Sequence, residues 1–381
     1  MRPWTHWATT ADLEDLRLPA HDAGTGLEGR ALGRALGGGP FVLDPFDAYR
    51  ANLVANPNVV VAGSIGAGKS TLVKMLIDRA LHRGRRVVVV DPKGEYGALA
   101  ADYGVRPLVL GRDGWCDPFG EDPRALLRAL LVGAAGALSD ERHFALDEAW
   151  RALGSRAPRR LLKALLDELR AELSGPASPR RDLALTLRRF VDGDLAGLFD
   201  GPGEALSLEG ELVVLDLSAQ WATASLGVAA LAALAAGARL ADPHRPGYLI
   251  LDEAWALLSD PGALGWLRGS WKLARSRGIA HVLVLHRFSD VGAAGDEGSV
   301  GRESAVGLLR ECETAWLFRQ GAEEARLIET SLGLHPREAA HLGVLGRGTA
   351  LVRYGAHRSL VRVMPDARDQ RFIDTDEAMR A

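Results

Sequence analysis

The sequence is poor in cysteine, lysine and aromatic residues. Cys116 and Cys312 are the only cysteines in 381 residues, and they stand far apart in the chain. That argues against a disulfide scaffold and a cysteine-ligated metal, and for a reducing compartment. Lysine occurs only at Lys69, Lys74, Lys93, Lys163 and Lys272; arginine supplies the rest of the 46 basic residues. The formal charge of −3 gives no overall basic field to draw in nucleic acid, which leaves that role to a local patch. No basic-then-apolar leader opens the chain. The most apolar stretch, Leu226–Ala238, is alanine-rich, is closed by Arg239, and is too short to span a bilayer, so it reads as a buried helix. What remains is an ordinary soluble composition, 47% hydrophobic and 25% charged, with room for one large α/β domain or two smaller ones.

One stretch is sharply specified. Residues 58–71 read NVVVAGSIGAGKST, a β-branched run, a glycine-rich turn and then Lys-Ser-Thr opening a helix. Gly63, Gly68, Lys69 and Ser70 fit GxxxxGK[ST], with Ser64, Ile65, Gly66, Ala67 and Thr71 completing the loop. Such a turn lets successive N–H groups face one anion, and the helix that follows adds the positive end of its dipole. Lys69 is therefore expected to reach the β- and γ-phosphates of ATP, and the Ser70 hydroxyl to ligate Mg²⁺. The context agrees: an apolar strand precedes the loop, and an amphipathic pattern ending at Gly84 follows it.

The rest of the chain alternates strands and helices, as a parallel sheet requires. Residues 1–50 read as a short cover of strands and loops. The core reads as 51–120 and 205–365, interrupted by helical patterns over 121–204, with a tail over 366–381. Residues 85–91 and 107–110 read as strands, and 121–204 as an all-α insertion of four helices. Asp122-Pro123, Ser139-Asp140, Ala157-Pro158 and Ser178-Pro179 mark helix starts. Strands then follow at 211–218, 248–251 and 281–286, and helices at 222–241 and 264–277. A glycine-rich segment read as mobile, the strand TAWLFRQ, a helix over 323–332 and a final strand pair complete the core.

The second half of a phosphoryl-transfer site is an acidic pair closing an apolar strand, and YLILDE supplies it. Asp252 is expected to hold Mg²⁺ and Glu253 to orient the attacking water. The same letters recur at Asp147-Glu148, but inside a helical pattern without a preceding strand, so they read as a solvated face. Asp91 and Glu95 follow the second strand, with Glu95 a candidate water-positioning group. His286 closes the strand after the acidic pair and faces the same crevice. Arg275 and Arg277, or Arg319 at a later strand end, are candidates for an arginine offered to a neighbouring subunit's phosphate.

In this order, NPNVVVAGSIGAGKSTLVK, VVVVDPKGEY, ELVVLDLS, YLILDEAWALL, WKLARSRG, RQGAEEARLIETSLGL and RGTALVR, the chain resembles the TraC-like ATPases of conjugation and type IV secretion. These belong to the HerA/FtsK superfamily of ring-forming P-loop motors. The resemblance implies an α/β, RecA-like P-loop NTPase with a mainly parallel central sheet and an all-α insertion. It also implies Mg²⁺-ATP hydrolysis, a ring, expected to be a hexamer, and a trans-acting arginine, best matched by Arg275. The family's strand-end glutamine falls at His286. Secretion ATPases of this kind carry a large N-terminal docking domain where this chain has residues 1–50, so it resembles the motor half.

The expected activity is thus an oligomeric ATPase energising conjugative or type IV secretion transfer. It would work from the cytoplasm, peripheral to inner-membrane secretion proteins. The alternatives are a HerA/FtsK-like motor that translocates DNA, and a non-motor ATP-dependent switch.

Overall fold

The computed structural model describes residues 24–119, 123–154, 160–199, 205–221, 223, 225–240, 242–294 and 299–373. Its centre is one 11-stranded sheet. In chain order the strands are β1 (Gly33–Ala35), β2 (Gly38–Phe41), β3 (Val59–Ala62), β4 (Arg86–Asp91), β5 (Leu108–Val109) and β6 (Leu212–Asp216). They continue with β7 (Gly247–Leu251), β8 (Ile279–Leu285), β9 (Thr314–Leu317), β10 (Thr349–Tyr354) and β11 (His357–Val363). In space the order is β2-β1-β11-β10-β9-β3-β8-β7-β4-β6-β5. From β9 to β5 every neighbouring pair is parallel. From β9 to β2 every pair is antiparallel. The expected RecA-like, mainly parallel sheet is therefore present. The cover before the core does more than cover: the β1–β2 hairpin pairs with β11 and extends the same sheet.

The unbroken apolar runs of the central strands follow from burial on both faces. Alternate residues enter two separate cores. Val60, Val88, Val90, Leu249, Leu251, Leu283 and Leu285 pack with the helical layer of residues 123–199 and with the helices that follow it. Val59, Val61, Val87, Val89, Ile250, Val282 and Val284 face the other way, toward the helix Lys69–His82 and the N-terminal hairpin. Each fully buried valine contributes roughly 1.5–3 kcal/mol relative to exposure.

Residues 123–191 form helices Pro123–Ala135, Asp140–Ala152, Leu161–Glu168 and Pro179–Val191. The Ser139 and Ser178 side chains cap two of them by accepting from the N–H groups of Arg142 and Arg181. Asp122 and Ala157-Pro158 lie outside the described residues. Asp147-Glu148 sits in the interior of a helix, where Arg128 and Arg180 pair with its two carboxylates. The helix expected over 222–241 runs Leu226–Ala238, and the one expected from 264 begins earlier, as Pro261–Arg277.

The segment after β11 packs on the phosphate-loop helix. Arg79 donates to Asp369 at 2.7 Å, Arg368 to Asp78 at 2.8 Å, and Arg30 to Asp366 at 2.6 Å. Asp78 and Asp369 are fully buried. The part of the expected tail up to residue 373 is thus a strap against that helix; the remainder lies outside the described residues.

Candidate active site

Only β8 separates β3 from β7 in the sheet. The phosphate loop after β3, His286 after β8 and Asp252-Glu253 after β7 consequently emerge side by side at the carboxyl ends of the strands, where α/β sheets bind ligands.

The loop is held by backbone. Ser64 N–H donates to Arg319 O at 2.9 Å, and Gly348 N–H to Ala67 O at 2.8 Å. Gly66 and Gly68 have φ of 74° and 115°, the left-handed region that favours glycine. A Cβ at Gly63 would lie 2.6 Å from Phe318 Cβ, and one at Gly68 3.2 Å from Gly348 Cα. The glycines therefore provide both conformation and clearance. Ile65 projects into solvent from the loop tip, and Lys69, Ser70 and Thr71 form the first turn of the helix Lys69–His82.

Lys69 folds back onto its own loop. Its Nζ donates to Gly63 O at 2.7 Å and Ser64 O at 3.1 Å, and it lies 2.8 Å from His286 Nδ1. Burial lowers its ammonium to about 8. An ammonium has no lone pair, so His286 accepts at Nδ1 and carries its proton on Nε2. That Nε2 lies 2.5 Å from Glu253 Oε1.

β7 ends at Leu251, and the chain then bends sharply. Glu253 has φ of 53°, a costly conformation for a residue with a Cβ. Ala254 N–H donating to Val284 O at 2.9 Å fixes the bend. Glu253 is 2% exposed, and every partner of its carboxylate is a donor: His286 and Lys93 at Oε1, and the Trp255 indole at Oε2, 2.8 Å away. Hydrogen bonds from His286 and Lys93 outweigh burial and hold its carboxyl down at about 2. Asp252 behaves oppositely. Burial and the nearby carboxylates of Glu253, Glu95 and Asp91 push it up to about 6. Its own partners are the Tyr96 hydroxyl at 3.1 Å and the Glu253 N–H at 3.0 Å.

The expectation for the loop after β4 is refined. Asp91 is buried and serves the backbone, accepting from the N–H groups of Lys93, Gly94, Glu95 and Tyr96 at 2.9–3.2 Å. That nest aims Lys93 at Glu253 and Tyr96 at Asp252. Lys93, Tyr96 and Trp255 also belong to the site, although no motif in the sequence marks them as such. Lys93 had a signal, since it stands in a strand-end loop of a chain with very few lysines. Arg275 lies in the last turn of the helix Pro261–Arg277. Arg277 and Arg319 are exposed, and Arg319 supports the phosphate loop through its carbonyl rather than its guanidinium.

The donor set fits Mg²⁺-nucleotide. The Ser64 hydroxyl is buried without a partner inside the loop that would take the phosphates. Asp252 is 6% exposed among carboxylates, where a dication would offset their repulsion. Among the described residues no group of three or more His, Cys, Asp or Glu could hold a metal by itself. One hydroxyl and one carboxylate, completed by phosphate oxygens and water, is how Mg²⁺ is usually bound in such sites.

This geometry coincides with likeness to known proteins. Residues 51–219 match the family described as Helicase HerA, central domain. The fold is shared with VirB4 and the coupling protein TrwB. VirB4 of Thermoanaerobacter pseudethanolicus superposes with a TM-score of 0.79 and 22% identity, covering 92% of this chain and 100% of that one. The bacterial conjugative coupling protein TrwB, bound to the ATP analogue ADPNP, gives 0.56 at 20% identity, with 89% and 90% covered. TrwB bound to ADP and Mg²⁺ gives 0.54 at 19% identity, with 91% and 93% covered. No curated protein sequence matches the chain. Among the described residues no helix is long and apolar enough to cross a membrane.

Proposed function

We propose that this chain is a Mg²⁺-dependent ATPase that works as an oligomeric motor and energises type IV secretion or conjugative transfer at the cytoplasmic face of a membrane complex. The observation that carries the reading is the convergence of Lys69, His286 and Glu253 within hydrogen-bonding distance, beside Ser70 and Asp252.

The residues divide the work. The N–H groups of the phosphate loop and Lys69 bind the β- and γ-phosphates. Ser70 and Asp252 would hold Mg²⁺, which supplies charge neutralisation for the transferred phosphoryl group. Glu253, fixed by its backbone bend and by Trp255, accepts a proton from the attacking water and orients it. His286 joins Lys69 to Glu253, and its Nε2–H would pass to a phosphoryl oxygen only on leaving the carboxylate. Arg275 is the residue proposed to reach a neighbouring subunit's nucleotide, which makes hydrolysis depend on assembly into a ring. The conjugation and secretion context rests on the likeness to VirB4 and TrwB.

Turnover per chain measured against protein concentration tests the motor reading. A rise across the assembly range that is lost in Arg275→Ala supports it, and a flat profile in the parent contradicts it. The match to the HerA central domain favours a second reading, translocation of duplex DNA. DNA binding that weakens steeply with salt, together with DNA-stimulated turnover, would select that reading.

A further inference from the structure

Lys93 enters the same crevice as Lys69. It comes from the loop after β4, where Asp91 gathers four consecutive backbone N–H groups and so fixes the loop's path. Its ammonium pairs with Glu253 Oε1 and lies 3.3 Å from His286 Nε2. The imidazole therefore stands between two ammonium groups, Lys69 at Nδ1 and Lys93 on the Nε2 side. Lys93 also lies 5.2 Å from the centre of the Trp221 ring, and its side chain is about a third exposed.

We propose that Lys93 is a γ-phosphate ligand that exchanges between that phosphate and the catalytic carboxylate it pairs with. The inference rests on the ATPase reading of the site. A γ-phosphate in front of Lys69 carries more negative charge than Glu253 and offers several acceptor oxygens, so it competes for the Lys93 ammonium. Transfer of Lys93 from Glu253 to the phosphate does two things at once. It adds a charge-assisted contact that ADP cannot make, and it frees an acceptor position on Glu253 Oε1 for water. Glu253 Oε1 already accepts from both His286 and Lys93, and Oε2 from the Trp255 indole, so three of its about four acceptor positions are taken. Hydrolysis is thereby tied to a correctly seated triphosphate, and ATP is distinguished from ADP by a residue outside the phosphate loop.

The test is equilibrium binding of ADP and of ADPNP, each with Mg²⁺, to the full chain and to Lys93→Met, Glu253→Gln and the double variant. Lys93→Met is expected to weaken ADPNP roughly tenfold and to leave ADP within about twofold. Glu253→Gln weakens that pairing, so it is expected to tighten ADPNP selectively, and that gain disappears in the double variant. Equal loss of both nucleotides in a folded Lys93→Met protein would assign Lys93 a structural role and overturn the proposal. So would unchanged affinity for both, or a Glu253→Gln gain that persists without Lys93. Failure of the parent chain to bind either nucleotide would instead overturn the ATPase reading itself. Lys93→Arg, which retains the charge, is expected to keep the preference for ADPNP.

Discussion

Lys69 Nζ and His286 Nδ1 lie 2.8 Å apart, across strands that are 217 residues apart in the sequence. The contact joins the phosphate loop to the end of β8, and the opposite face of the same ring reaches Glu253. One imidazole therefore connects the group that would bind phosphate to the group that would activate water.

That connection makes His286 replaceable only by a side chain that can accept and donate together. Glutamine can, through its amide oxygen and nitrogen. His286→Gln is expected to keep steady-state turnover within roughly tenfold of the parent, whereas His286→Ala loses about a hundredfold or more, as removal of a positioned donor does. Equal rates in the alanine variant and the parent would remove His286 from the site.

His281, on the same strand, has a different part. It is fully buried, stacked on Trp271 with ring centres 4.9 Å apart, and bonded to Ser270 and Asn58. Burial pushes its imidazole down to about 3. Between that value and about 6.5 the unfolded chain binds a proton that the folded chain does not. Stability is therefore full above about pH 6.5 and is lost as pH falls toward 3, by at most about 1.4 kcal/mol per pH unit from this residue. Denaturant unfolding at several pH values checks this: the acid-side slope is expected to be shallower in His281→Gln, and an unchanged slope would show that other groups set it.

The strap after β11 gives a third expectation. Arg79 is buried, with Asp369 as its close partner and Asp78 at 3.1 Å. Asp369→Ala leaves that guanidinium short of a counter-charge and is expected to cost roughly 3–5 kcal/mol in thermal or denaturant unfolding. Replacing Arg79 and Asp369 together with apolar residues of similar volume is expected to recover most of the loss.

Much of this architecture was legible in the sequence, for physical reasons. The runs at Val59–Ala62 and Arg86–Asp91 announce strands buried on both faces, and the glycines from Gly63 to Gly68 announce a left-handed, anion-facing turn. Asp252-Glu253 is a weak signal alone, since a helix cap followed by Glu has the same letters; the phosphate loop elsewhere in the chain is what singles it out. What was not readable depends on strand order and on single side-chain reach. That the hairpin Gly33–Phe41 extends the central sheet is decided by pairing with β11, more than 300 residues away, and no local pattern encodes it. The grip of Lys93 and Trp255 on Glu253 follows from the left-handed bend at Glu253 itself, a conformation its side chain does not advertise. The helix over residues 226–238 was visible, but its exact ends were not, because a uniformly apolar Ala-rich stretch carries no amphipathic boundary.

Glu253 is proposed as the group that activates water in a nucleotide site built on Lys69. The direct test is single-turnover hydrolysis of ATP by the parent chain and by Glu253→Gln, with nucleotide binding measured on the same preparations. The variant is expected to bind Mg²⁺-ATP at least as tightly as the parent and to hydrolyse it more than about a hundredfold more slowly. Equal hydrolysis by the two proteins, at equal nucleotide occupancy, would contradict that role.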